Sequence, residues 1–169
     1  MIRSLNGKTP KIAESAFISE AAYIAGDVEI GENSSAWPGA VIRTEHGSIR
    51  IGQNTHIEDN CVVHGGGNAS IGDNVIVGHG AMVHCHRIGN NVLIGINATV
   101  LDGADVGNFC VLAAGCVVTP GMKIPDNSLV SGVPGKIQGQ VPEEQRLRWL
   151  EEAPKIYARF AREYKEQGL

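Results

Sequence analysis

The stretch "VGHGAMVHCH", residues 77 to 86, carries His79, His84 and His86 among glycines and small aliphatics, and His64 closes the preceding "CVVH". Imidazoles gathered in this way can ligate a transition metal, relay protons near neutral pH, or simply decorate a small-residue turn. The intervals of five from His79 to His84 and two from His84 to His86 do not match the helical zinc motif, which sets two histidines four apart on one face. Their role depends on the backbone that carries them.

Composition narrows that backbone. With 22 glycines and an aromatic share of 5%, the core of this 169-residue chain must be built from small aliphatic units. A net charge of −4 without a basic stripe argues against a nucleic-acid partner, and no apolar run is long enough to span a membrane. The opening "MIRSLNGKTPKIAES" lacks the apolar centre of a secretory signal, so the four cysteines are expected as free thiols of a cytoplasmic protein.

Aliphatic residues recur at a step of six: Ile12, Ile18, Ile24, Ile30, Ala36, Ile42 and, later, Ile94, Val100, Val106, Leu112, Val118, Ile124, Val130. This is a hexapeptide repeat, in which six residues form one short strand and a turn and three such units close a triangular coil. Residues 1–140 are therefore expected to form a parallel β-helix, an all-β fold. The period changes to a helical one in 141–169, with Leu147, Leu150, Ile156, Phe160 and Tyr164 near one stripe and a kink at Pro154. That segment is expected to pack along the prism, over coil edges or a subunit seam. Cys61, Cys110 and Cys116 take small inward positions of their hexads.

The phase breaks three times, with steps of nine from Ile42 to Ile51, eight from Val63 to Ile71 and five from Val83 to Ile88. All three breaks follow the third strand of a coil, so they share one corner, a place for function on a regular scaffold. With the register counted through them, Arg43, His64 and His84 fall in one column of the third face, and His79 falls over Asp59 on the second. His64 and His84 are one strand spacing apart, close enough to reach one ion. His79 is separated from them by the body of the prism. The three converge only if identical prisms pack about a three-fold axis, which makes a homotrimer with interfacial sites the natural assembly.

From Gly26-Asp27-Val28 through Arg43, "IGQNTHIEDNCVVH" and "VGHGAMVHCH" to "VSGVPGK" and the closing helix, the chain resembles the gamma-class carbonic anhydrases. The resemblance implies a left-handed parallel β-helix with a C-terminal α-helix, a homotrimer, and a divalent metal held by His64 and His84 of one subunit and His79 of its neighbour. Zn2+, Fe2+ and Co2+ all suit three histidines. The implied reaction is the reversible hydration of CO2 to bicarbonate. Three imidazoles leave a position for water, whose pKa a dication lowers from 15.7 to roughly 7 in the best-known zinc case, so that it attacks CO2 as hydroxide.

The chain departs from the family pattern at three places. Arg43-Thr44-Glu45 stands for Arg-Gly-Asp, Glu58 for the usual Gln, and Cys85-His86 for Gly-Cys. Glu58 either orients the nucleophile, at the cost of adding negative charge, or serves as general base. Asp59 is a group behind His79 or at the subunit interface, hydrogen-bonded near His79. Arg43 is either a bicarbonate-facing cation or a structural partner of Glu45 or Asp59 across the subunit interface. His56 stands where the family often has Asn or Gln near the metal, and His86 is a proton shuttle or a solvated turn residue. Cys85 is a reactive thiol, an adventitious metal donor or an inert turn residue. The competing functions are a hexapeptide acyltransferase or thioesterase, and a non-catalytic trimeric scaffold with a retained metal site.

Overall fold

In the computed structural model, which describes residues 1–169, the six-residue period becomes three parallel faces. The first face carries Lys11–Ile12, Val28–Ile30, Ile49–Ile51, Ala69–Ile71, Arg87–Ile88, Asp105–Val106 and Lys123–Ile124. The second carries Phe17–Ile18, Ser35–Ala36, His56–Ile57, Ile76–Val77, Leu93–Ile94, Val111–Leu112 and Ser128–Ser131. The third carries Ile2–Arg3, Tyr23–Ala25, Val41–Arg43, Val62–His64, Met82–Val83, Thr99–Val100 and Val117–Val118.

Neighbouring strands on a face are in register, so each lead aliphatic stacks on its counterpart one coil away: Ile12 on Ile30, Ile30 on Ile51, Ile51 on Ile71, Ile71 on Ile88. Ile24, Ile42, Ile57, Ile88, Ile94 and Leu112 are fully enclosed. Each such side chain contributes about 1.5–3 kcal/mol by leaving water. Cys61, Cys110 and Cys116 are enclosed with them, as their hexad positions require.

The turns are written in residues that tolerate left-handed backbone. Asn33, Asn54, Asn74 and Asn91 repeat one corner with φ of 51 to 55°. The three irregular steps occupy the corner between third-face and first-face strands, where the lengthened turns stack on each other. Gly47, at φ +83°, lies so close to the turn above that a Cβ would come within 2.4 Å of the Gly67 backbone.

At the last coil Ser128–Ser131 turns back and pairs antiparallel with Lys136–Gln140, which covers the terminal edge of the second face. The chain then enters a helical segment, α over Glu143–Gln145, π over Arg146–Glu152 and α over Ala153–Glu166. The break expected at Pro154 is this switch of winding, since proline supplies no N–H to complete an α bond with the preceding turn. The π turn also shifts the buried stripe. Leu150 is enclosed as expected, while Leu147, Ile156 and Phe160 are exposed; the docked face is formed by Ala153, Pro154 and Ala161 together with Tyr164, whose partly exposed ring lies edge-on against Phe17 and Trp37. Small residues suit that position because the second face already presents Phe17 and Trp37 outward, with ring centroids 5.3 Å apart. No helix is long and apolar enough to cross a membrane.

Candidate functional site

Strand alternation and register place the candidate residues. On the third face Arg43 pairs with His64, and Val63 pairs with Val83, so His84 follows directly over His64. The two rings lie 5.0 Å apart, with His84 Nε2 3.0 Å from His64 Nδ1. Each outer nitrogen meets a carboxylate: His64 Nε2 is 2.8 Å from Glu45 Oε2, and His84 Nδ1 is 2.6 Å from Asp102 Oδ1. Glu45 also takes an ion pair from Arg43. The His64 hydrogen bond, helped by the Arg43 charge, holds the Glu45 carboxyl below its usual value.

On the second face Ile57 pairs with Val77, which sets Gly78 over Glu58 and His79 over Asp59. His79 Nδ1 is 2.9 Å from Asp59 Oδ2, and Nε2 of the same ring is 3.0 Å from Glu58 Oε2. The His79 backbone N–H donates to Glu58 Oε2 at 2.9 Å. Glu58, only 3% exposed, is the one charged residue in the buried interior.

A cavity of about 300 Å³ opens beside Glu58 and His79. It exists because the column above Glu58 continues in small residues, Gly78, Gly95 and Ala113, while Leu93 and Val111 wall one side and Trp149 and Tyr157 of the helical segment close over it. Its lining is mostly apolar, with the Glu58 carboxylate in its wall.

A divalent ion fits this donor set. A neutral imidazole that gives its one N–H to a carboxylate presents a lone pair at its other nitrogen. In that tautomer His64 Nδ1 and His84 Nε2 turn lone pairs toward each other, and His79 Nε2 turns one toward Glu58 Oε2. Either arrangement is satisfied by a cation between the two atoms, a proton or a metal ion. Within one chain the pair and His79 lie on different faces, and no group of three histidine, cysteine or acidic donors assembles.

Other expectations sort clearly. Arg43 pairs with Glu45 of its own chain. His56 is not near the third-face histidines: it is fully enclosed under the helix, with Nε2 2.9 Å from the Pro154 carbonyl and Nδ1 2.8 Å from Ser35 Oγ. The carbonyl only accepts, so Nε2 carries the proton and Nδ1 accepts from Ser35, whose oxygen in turn takes the Trp37 N–H at 2.8 Å. Burial lowers the His56 pKa to about 4. Cys85 is buried, and burial pushes its thiol up to about 12, which makes it inert. His46 and His86 are exposed on the irregular corner.

Asp102 and Tyr157 were not among the sequence candidates. Asp102 was legible, since it directly follows Leu101 in the His64 and His84 column; Tyr157 comes from a distant helix whose docked face the stripe did not predict.

A model of the hexapeptide repeat of succinyl-transferases matches residues 86–120. A carbonic anhydrase of Geobacillus kaustophilus is 40% identical over 170 residues, covering 99% of this chain and 89% of that one. The mitochondrial gamma carbonic anhydrase 2 of Arabidopsis thaliana is 34% identical over 162 residues, 91% of this chain. The chain belongs to the gamma carbonic anhydrase family. It spans 58% of the length of the plant relative. Among solved structures, a candidate acetyltransferase of Bacillus cereus superposes with a TM-score of 0.94 at 36% identity, covering 98% of this chain and 97% of that one. The gamma carbonic anhydrase fold is thus shared with proteins assigned to acyl transfer, and the site has to carry the functional distinction.

Proposed function

We propose that this protein is a metal-dependent carbonic anhydrase, a lyase that interconverts CO2 and bicarbonate as a homotrimer. His64 and His84 of one subunit and His79 of the next would hold Zn2+, Fe2+ or Co2+. The observation that supports this reading is that each of the three histidines has a carboxylate at one ring nitrogen, Glu45, Asp102 and Asp59, while the second nitrogens of His64 and His84 face each other and that of His79 faces Glu58. When bound, the ion supplies a water acidic enough to be a nucleophile near neutral pH.

The chain's own residues supply the rest. The apolar cavity beside His79 suits CO2, a small molecule without charge. Glu58 Oε2, in the cavity wall, can accept a proton or orient the attacking water. Asp59 fixes the His79 tautomer, and Glu45, balanced by Arg43, does the same for His64. A cytoplasmic setting suits the four free, buried thiols.

The test is to purify the protein anaerobically, load Zn2+, Fe2+ or Co2+, and measure mass, metal per trimer and CO2 hydration. Stoichiometric metal with hydration is expected. A metal-loaded trimer without hydration would leave the scaffold reading, and a metal-free protein that acetylates an amine or hydroxyl from an acyl thioester would establish the transferase reading that the Bacillus cereus neighbour favours.

A further inference from the structure

The outward position of the first face is a ladder of charge with one gap. Register stacks Lys11, Glu29 and Arg50 on one side of Ser70, and Arg87, Asp105 and Lys123 on the other. The opposite charges are paired. Lys11 Nζ is 3.1 Å from Glu29 Oε1, Arg50 Nε is 3.3 Å from Glu29 Oε2, Arg87 Nη1 is 2.9 Å from Asp105 Oδ1, and Lys123 Nζ is 3.5 Å from Asp105 Oδ2. Such alternation suits a sheet, where like charges on adjacent strands repel. It fails only at Ser70, which stands where an acid would continue the pattern, with an arginine about 4.8 Å away along the sheet on each side.

Both guanidiniums are held from their far sides. Arg50 leans toward Glu29 and toward Asp27, whose Oδ1 is 2.8 Å from Nη1, and Arg87 leans toward Asp105. A guanidinium carries five N–H donors, and Nη2 of each makes no hydrogen bond within the protein. Ser70 is exposed, and its hydroxyl has no partner either. Along the column four cations face two carboxylates, a surplus of two positive charges, and Asp27 behind Arg50 is itself shared with Lys8 at 3.9 Å. A groove of about 740 Å³ runs beside Arg50, Ser70 and Arg87, with Gly52, Gly72 and Gly89 along it. A Cβ on Gly72 would come within 2.7 Å of the Gly89 carbonyl oxygen, so no side chain fills the groove next to Ser70.

We propose that the gap at Ser70 is a binding site for an oxyanion of the phosphate class, clasped between Arg50 and Arg87, with the Ser70 hydroxyl donating to it. A tetrahedral dianion has an oxygen for each of these three donors, and its charge matches the surplus on the column. Planar guanidinium forks suit phosphate, and their carboxylate partners already hold both of them at the edges of the gap. A carboxylate or bicarbonate, with a single charge, leaves half of the surplus unmatched. The three histidines discussed above all lie off this face, so the site stands independently of the metal.

The experiment titrates inorganic phosphate into the purified protein at constant ionic strength, with chloride as the balancing anion, and follows phosphorus NMR line width and thermal unfolding. Half-saturation at about 1 mM is expected, roughly what contacts to two charged donors supply. Arg50→Gln and Arg87→Gln should each weaken binding about ten-fold, the effect of losing one charged hydrogen bond. Ser70→Asp puts a carboxylate into the gap. It should abolish phosphate binding and, in phosphate-free buffer, unfold at a higher temperature than the wild type. Equal binding by the wild type, Arg87→Gln and Ser70→Asp would place the anion elsewhere and overturn the proposal. No saturable binding by the wild type, or a Ser70→Asp protein no more stable than the wild type, would overturn it as well. Should Ser70→Asp fail to fold, the two arginine variants carry the same test.

Discussion

His79 stands directly above Asp59 on the second face, with Nδ1 2.9 Å from Asp59 Oδ2, while Nε2 of the same ring lies 3.0 Å from Glu58 Oε2. One imidazole thus bridges a half-exposed carboxylate and a buried one. The first partner fixes the tautomer; the second marks the side on which an ion and a substrate would be met.

Asp59→Asn should therefore weaken metal binding without disturbing the trimer. An amide can present its NH2 to Nδ1 and favour the tautomer that protonates Nε2, the nitrogen needed by the ion. A loss of about 10–100-fold in zinc affinity is expected, measured by competition with a chromogenic chelator. Unchanged affinity would remove Asp59 from the site.

Shared ligation predicts complementation between defective subunits. His64→Ala and His79→Ala trimers should each lose their metal, because two imidazoles hold a dication too weakly against water. After verified subunit exchange, interfaces that join an intact His79 to an intact His64 and His84 pair should recover it. Metal analysis of the mixed trimers checks this, and no recovery would argue for sites contained in single chains.

Glu58→Gln tests the role of the buried carboxylate. Enclosed beside His79, Glu58 is poorly placed to exchange protons with bulk buffer, so its principal effect near the ion is its charge. Removing that charge should lower the pH midpoint of CO2 hydration and raise the rate near neutrality, each unit of midpoint corresponding to about 1.4 kcal/mol. Slower turnover in the variant, worst in weak buffer, would make Glu58 the general base. Stopped-flow pH profiles at low and high buffer distinguish the two outcomes.

The enclosed His56 makes stability depend on acid. Its pKa falls from the ordinary 6.5 to about 4 on folding, so between those values the unfolded chain binds a proton that the folded chain refuses. Stability from this group is complete above pH 6.5 and is lost as pH falls toward 4, with a slope approaching 1.4 kcal/mol per unit and a total of about 3 kcal/mol. Chemical denaturation at stepped pH should show this slope, and His56→Gln, which keeps a donor for the Pro154 carbonyl but cannot titrate, should flatten it.

Cys85 should resist alkylation in the native protein despite standing next to His84. Its thiol, pushed up to about 12 by burial, yields little thiolate at neutral pH. Iodoacetamide labelling followed by mass analysis should find it unmodified until denaturant is added; rapid native labelling would place it in the site's chemistry.

The residues of the coil were legible because a hexapeptide β-helix is nearly one-dimensional. Its period of six sets strand, turn and inward position, and counting through the three irregular steps is enough to stack Arg43, His64 and His84 in one column and His79 on Asp59. The enclosed Cys61, Cys110 and Cys116 follow from the same count. Asp102, which the same columns would have brought to His84, was accessible by that logic as well.

What depended on tertiary structure lies where the period ends. The helical segment has its own repeat, but the π turn at Arg146–Glu152 changes its phase, so the sequence alone could not say which side would dock. Contacts from that side reach 98 residues back along the chain, from Pro154 to His56. They make His56 an internal clamp beneath the helix and bring Tyr157 into the wall of the cavity beside Glu58. Column arithmetic carries no information on such contacts, because they depend on how a second element with a different period seats on the first; the period of six is enough for the columns, and only the packing of the helix establishes what closes over them.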